Sequence, residues 1–280
     1  MRVAPALHGA LLLGGRAPAP SCTTGTSPTI YAPFVELALR LFSDAHIEQQ
    51  PYPVDQSLLN RQTVVGTGKR EQEVQLSVYA FSAPKLRQVR LVHIEGGSSL
   101  QVLNFCMFPS LEYGLPAFAA DLVTLPGGHL IALDYAPFTN PESDATFAPE
   151  GALAAAYTKH RRSLPDGGAL PEAATRYFSP YFLWSRLPTP EADAAIQQDV
   201  LPAFEEYLSG YLKLISDATP LSEPAELAQV EARQLSYATY RAEQDPARPM
   251  LTRLFGETYA ERLIREVLFD LPYLDSQPDV

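Results

Sequence analysis

Basic residues, cysteines and long apolar runs are all scarce in this chain of 280 residues. Lysine and arginine total 21 against 32 aspartates and glutamates, for a net charge of −11. That balance argues against a nucleic-acid binder, because neutralising phosphates takes a basic face and a basic domain announces it in its totals. There are two cysteines, Cys22 in the leader and Cys106 inside a strand pattern, too few for a disulfide framework or a cysteine-based metal site. A reducing compartment is therefore expected. No stretch reaches the roughly 18 consecutive apolar residues that a membrane-spanning helix needs. The five histidines, at 8, 46, 93, 129 and 160, show no ligand spacing, so no structural metal is expected. Also missing are a G-x-G-x-x-G after a strand, a G-x-x-x-x-G-K-[ST] loop, a G-x-S-x-G elbow and an H-E-x-x-H helix.

What is present is a globular composition: 46% apolar residues, 19% charged and a mean hydropathy of −0.08. Residues 1–30 hold two arginines, several Ser/Thr and no acid, a bias of organelle transit segments and equally of a disordered terminus. Residues 31–280 are expected to form a single domain. In "YAPFVELALRLFSDA" the apolar residues recur at helical spacing, and a proline-rich connector follows. From there to residue 135 the period drops to two. "EVQLSVYAF", "LRQVRLVHIE", "SLQVLNFCMF", "AFAADLVTL" and "HLIALDY" read as strands, joined in part by the hairpin-length turns "EGGSS" and "LPGGH".

The second half changes to helical patterns: "PEGALAAAYTKHRRSL", "PEADAAIQQDVLPAFEEYLSGYLKLISDA", "PAELAQVEARQLSYATYRAEQ" and "DPARPMLTRLFGETYAERLIREVLFDL". One more strand is expected at "RYFSPYFLWSRLP". Strands first and helices later, with helices available for both sides, indicate an α+β sandwich. No internal repeat is visible.

Polar residues interrupt the apolar strand faces. The period of two puts Asn104 in line with Leu100, Val102, Cys106 and Phe108, and Asp121 in line with Ala117, Ala119, Val123 and Leu125. A buried carboxylate is so costly to desolvate that it tends to keep its proton, which makes Asp121 a candidate acid. Pairing with an arginine or capping a turn is the ordinary explanation for such a residue, and for Asn104 the ordinary reading is an amide bridging strands. Asp245 precedes Pro246, where a helix is disfavoured, so N-capping the next helix explains it too. Arg241, four residues earlier, could hold an anionic group or face solvent. His93, Ser179 and Trp184 are further strand polars that suit structural roles.

The blocks "NFCMFP…GLPAFAADLVTLPGGHLIALDYAP", "YFSPYFLWSRLP", "YRAEQDPARPMLTRLFG" and "AERLIREVLFDLP" resemble the ferredoxin-dependent bilin reductases, in order and over about residues 34–271. The resemblance implies an α/β/α sandwich with a central antiparallel sheet flanked by helices on both faces. It implies a tetrapyrrole held between the sheet and the C-terminal helices, and no cofactor bound by the protein itself: electrons come singly from a reduced [2Fe-2S] ferredoxin. By the same resemblance Asp121 and Asp245 are the catalytic aspartates. Asn104 stands where the phycocyanobilin-forming members carry a catalytic histidine, so phycocyanobilin formation is not expected. Candidate substrate contacts are Arg241, Ser179, Phe105 and Met107. "DLVTLPGGHLIALD" is most like the branch reducing 15,16-dihydrobiliverdin at its A-ring diene; a biliverdin-reducing member and a non-redox bilin carrier are the alternatives.

The expected partners are the bilin and ferredoxin, with a preceding bilin reductase and a phycobiliprotein lyase as further candidates, on a monomer touching neither nucleic acid nor membrane. Ferredoxin is acidic, so a local basic surface is needed, and Arg248, Arg253, Arg262, Arg265, Lys85 and Arg87 are the candidates. Localisation is expected in the plastid stroma if the leader is a transit segment, otherwise in the cytoplasm of a cyanobacterium.

Overall fold

The computed structural model describes residues 29–138, 145–148, 150–170, 175–188 and 192–275. The expected leader lies outside the described residues except for its last two. Helix α1 (Ala32–Asp44) is followed by the two-residue strand β1 (Gln50–Pro51), one helical turn at Gln56–Leu59, and β2 (Asn60–Val65). Then come β3 (Gln72–Ala83), β4 (Leu86–Glu95), β5 (Gln101–Pro109), β6 (Ala117–Leu125) and β7 (Gly128–Ala136). After α2 (Ala152–His160) the last strand, β8 (Leu183–Pro188), leads into α3 (Leu201–Asp217), α4 (Pro224–Glu243), α5 (Arg248–Phe255) and α6 (Glu257–Arg262).

The eight strands form one antiparallel sheet in the order β1-β3-β4-β5-β6-β7-β8, with β2 also pairing to β3. From β3 to β7 each strand pairs with its neighbour in sequence, as hairpin-length turns dictate. The "LPGGH" turn is the clearest case. Leu125 pairs with Gly128, leaving Pro126 and Gly127 at the tip, and Gly127 takes φ +107°, which an L side chain resists. Gly128 is needed for a second reason: a Cβ there would sit 2.2 Å from the Leu187 carbonyl oxygen.

The alternation of side chains sorts the sheet into two faces. One carries Phe105, Phe118, Leu122, Leu133 and Tyr135 against Phe34 and Phe42 of α1 and Phe204, Tyr207 and Tyr211 of α3. The Tyr135 hydroxyl donates to the Tyr207 carbonyl at 2.7 Å, and that of Tyr211 to the Pro116 carbonyl at 2.8 Å, so these large rings are buried without orphaning a polar group. The other face packs Leu76, Val78, Val92 and Ile94 against Leu251, Leu254, Phe255, Leu263 and Ile264. The fold is the expected α+β sandwich, helices on both sides of an antiparallel sheet.

Three expected elements differ in detail. The strand at "RYFSPYFLWSRLP" is confined to Leu183–Pro188, because Ser179 and its neighbours form turns before it. The helical pattern over 190–218 contains a π-helical stretch at Ile196–Val200 just ahead of Pro202, whose missing N–H breaks the regular hydrogen-bond ladder. The pattern over 245–271 is two helices, because Gly256 at φ +89° ends α5 and starts α6; α6 then widens into a second π-helical stretch, Leu263–Leu268.

Candidate active site

Strand register assembles the site. Residues paired across an antiparallel sheet share a face, so Val78, Val92, Asn104, Asp121, Ala132 and Trp184 form one row across β3 to β8. The adjacent row on that face is Ala80, Arg90, Cys106, Ala119 and Asp134. Beside Asp121 the floor is made of small side chains, Ala119 and Ala132. Asn104, Ala119, Asp121, Ala132 and Trp184 are all half-buried, as are Tyr240, Arg241 and Asp245.

The helical wall comes from α4. Gln234, Tyr237 and Arg241 fall on one stripe of the helix at i, i+3 and i+7, and Asp245 lies just past its end. Gln234 pins the helix to the sheet, accepting from Arg87 Nε at 2.9 Å and donating to the Pro109 carbonyl at 3.1 Å. Tyr237 packs with Cys106, Phe108, Ala117, Ala136 and Tyr177. That contact brings Arg241, one turn later, over the part of the sheet that carries Asp121.

A chain of hydrogen bonds orients Asn104. Arg90, 1% exposed, donates from Nε to the Leu268 carbonyl at 2.9 Å and from Nη1 to Asn104 Oδ1. A guanidinium can only donate, so the amide must turn its oxygen to Arg90 and its Nδ2 to Asp121, where it reaches Oδ1 at 3.1 Å. The C-terminal π-helical stretch therefore holds the guanidinium, the guanidinium sets the amide, and the amide supports the carboxyl.

Burial pushes the Asp121 carboxyl above its ordinary range and the charge of Asp245 adds to this, while the Asn104 hydrogen bond and the guanidinium groups of Arg241 and Arg90 work against it. Asp245 is raised by the same loss of water, opposed by the Ala247 N–H it accepts at 2.7 Å and by Arg241, Arg90 and Arg248. Burial disfavours the Arg241 cation, but Tyr237, Asp245, Cys106 and Asp121 outweigh it and raise its pKa. The site holds two acids whose pKa values burial raises, one on the sheet and one just past α4, close enough to feel one another, with the Arg241 cation acting on both. Such an arrangement can deliver two protons to different places on one bound molecule.

Asp121, Asp245, Asn104 and Arg241 are thus brought together as expected. Asp245 also does what capping required, since its side chain accepts from Ala247 N just before α5. Phe105 and Met107 are not part of the site. They alternate with Asn104 and Cys106, so both point to the opposite face and are fully buried under α1 and α3. Ser179 is buried and occupied: its N–H and hydroxyl both donate to Asp134, and its oxygen accepts from Tyr181 N at 3.0 Å. His93 sits on the face away from Asn104, where burial lowers it to about 4 and keeps it neutral. Trp184, expected to be structural, stands in the Asp121 row.

Two residues of this face, Arg90 and Asp134, were not anticipated. Both carry the same signal as Asp121, a charge in line with apolar neighbours: Arg90 with Val92 and Ile94, and Asp134 with Leu130, Ala132 and Ala136. The expected basic docking surface is largely spent. Arg87 is 5% exposed and ion-paired to Asp270 at 2.7 Å. Lys85 closes the end of α3 by donating to the Ser216 and Ala218 carbonyls. Arg262 is held by Asp55 and Glu266, and both Arg248 and Arg265 by Glu261. Of the six, only Arg253 is exposed without an ion pair among the described residues.

Among the described residues no cluster of His, Cys, Asp or Glu could hold a metal ion. Residues 38–270 match the family model of ferredoxin-dependent bilin reductases, and the chain belongs to that family. It is therefore an oxidoreductase that acts on bilins with ferredoxin as donor. Phycoerythrobilin:ferredoxin oxidoreductase of Nostoc punctiforme is 42% identical over 243 residues, covering 87% of this chain and 94% of that protein. The protein of the same name from Gloeobacter violaceus is 43% identical over 251 residues, covering 87% and 96%. Among solved structures, tomato phytochromobilin synthase in complex with biliverdin superposes with a TM-score of 0.77 at 26% identity, covering 88% of this chain and 85% of that one.

Proposed function

We propose that the chain reduces 15,16-dihydrobiliverdin at the A-ring diene to phycoerythrobilin. The two curated relatives described above favour that reaction within the family. The bilin gains two electrons, one at a time from ferredoxin, and two protons; between the electrons it is a radical. Each added electron makes the conjugated tetrapyrrole more basic, so protonation follows electron arrival.

The observation that carries this reading is the pairing of Asp121 on the sheet with Asp245 beyond α4, both raised by burial and both facing Arg241. Held on opposite walls, the two acids select the carbons protonated by position. Asn104 cannot titrate. Its part is to fix Asp121 and offer a polar edge to the pyrrole system, while Arg241 balances the negative charge that appears as electrons arrive.

Anaerobic mixing of the protein with 15,16-dihydrobiliverdin and reduced ferredoxin, followed by absorption and product chromatography, tests the reading. Phycoerythrobilin as product supports it. Tight binding with an unchanged pigment would make the protein a carrier instead, and turnover of biliverdin but not of 15,16-dihydrobiliverdin would assign it the earlier reduction.

A further inference from the structure

Asp134 is the second carboxyl on the substrate face of the sheet, and the proton deliveries above do not use it. It is 2% exposed and sits directly across from Ala119, one row from Asp121. Both of its oxygens are committed to one residue. Ser179 N donates to Oδ2 at 3.0 Å and the Ser179 hydroxyl donates to Oδ1. Ser179 in turn organises its own segment: its oxygen accepts from Tyr181 N and its carbonyl from Phe182 N at 3.2 Å.

The segment so fixed is an aromatic wall. Tyr177 packs edge-on to Tyr237 at 5.2 Å and against Tyr240 at 4.9 Å, both on α4. Arg176 caps this contact, its guanidinium 4.6 Å from the Tyr177 ring and 4.9 Å from that of Tyr240. On the other side of Ser179, Phe178 stacks on Phe182 at 4.1 Å, and Phe182 lies nearly parallel to Trp184 at 6.1 Å. Trp184 belongs to the Asp121 row, so this wall borders the alanine floor beside the catalytic carboxyl.

We propose that Asp134 is a positioning residue: through Ser179 it sets the Tyr177–Trp184 wall that holds the bilin in register with Asp121. The inference rests on the bilin reductase reading of the same site. A carboxylate suits the task because it accepts two donors from one residue, whereas its protonated form has one strong acceptor left. The groups around Asp134 leave it sensitive to pH. Burial raises it to about 7, opposed by the two Ser179 hydrogen bonds and the Tyr135 N–H. The phenols of Tyr237 on α4 and Tyr207 on α3 act on it, Cys106 shares its row, and no cation among the described residues acts on it.

The test compares unaltered protein with Asp134→Asn, Ser179→Ala and Ser179→Thr, titrating each with 15,16-dihydrobiliverdin between pH 6 and 8. The prediction is about a tenfold weaker affinity and a shifted bound-pigment spectrum for Asp134→Asn and Ser179→Ala. Ser179→Thr, which keeps the hydroxyl, restores both. Affinity of the unaltered protein improves as pH rises through about 7, and that portion of the profile is flat in Asp134→Asn. Wild-type affinity, spectrum and pH profile in both altered proteins, with only a lower Tm, would make Asp134 a purely structural residue and overturn the proposal. Ser179→Ala leaves the carboxylate in place and carries the test if Asp134→Asn does not fold. Failure of the unaltered protein to bind the bilin would instead remove the underlying reading, and this inference with it.

Discussion

Loss of water and a facing acid raise the pKa of Asp121, and its carboxyl is held in place because Asn104 is held by Arg90. Two substitutions separate these effects. Asp121→Asn preserves shape and hydrogen bonding but cannot donate the proton, so the variant should bind bilin normally while phycoerythrobilin formation falls by about 100-fold or more; product chromatography reads this. Asn104→Ala leaves Arg90 Nη1 without its acceptor, which should cost about 1–3 kcal/mol in urea unfolding. It also removes a hydrogen bond that lowers Asp121, so the pKa of that carboxyl should rise further. Asp134 supplies the clearest pH signature. Its carboxyl is ordinary in the unfolded chain, near 3.8, and raised to about 7 in the fold. Its contribution to stability is thus fully present below pH 3.8 and lost as pH rises through 7. Relative to Asp134→Asn, the unaltered protein should lose up to about 1.4 kcal/mol per pH unit across that window and hold a constant difference above it. A flat difference across the window would show an unshifted carboxyl.

At the scale of elements, most strands were legible because each is half of a two-faced sheet and so alternates. β4 and β6 were read to the residue as "LRQVRLVHIE" and "AFAADLVTL". Asp121 and Asn104 stood out for the same reason, as polar breaks in an apolar row. Phe105 and Met107 were misplaced although the same period assigns them to the far face; being apolar, nothing in their chemistry says which core they fill. The fate of Ser179 was hidden because it depends on Asp134, 45 positions away in sequence. Local patterns do not carry such contacts. β1 and β2 were missed because both are edge segments beside β3, β1 only two residues long and β2 largely exposed, with little buried face to write a pattern. The split at Gly256 was overlooked because helical spacing continues on either side of it. With φ +89° and no atom within 4 Å of a built Cβ, the demand there is purely on the backbone. Gly256→Ala should therefore lower unfolding free energy by about 1–3 kcal/mol without altering the bound-pigment spectrum.

For the molecule as a whole, a net charge of −11 opposes an acidic partner, so ferredoxin must meet a local exception. The arginines around α5 and α6 are mostly neutralised by neighbouring acids, and Arg87 is buried. Two exposed arginines without an ion pair among the described residues, Arg176 and Arg186, lie instead beside the substrate face of the sheet. Arg176 rests on Tyr177 and Tyr240, and Arg186 on Trp184 at 5.6 Å. Charge reversal at both should raise the KM for ferredoxin several-fold at low ionic strength, with the difference shrinking as salt is added. An unchanged KM would place docking elsewhere. In the proposed reaction, a donor docked beside that face suits one-electron transfer, because a short path to the pigment leaves proton transfer, not electron arrival, to choose the product.

In the proposed reaction that choice depends on the protonation state of Asp121 at neutral pH. Infrared difference spectra of the bilin complex, with and without Asp121→Asn, report it directly. A protonated carboxyl C=O stretch present in the unaltered complex and lost on substitution is the expected result. A carboxylate stretch at that position, with no acid band removed, would mean that Asp121 is already ionised and cannot be the donor.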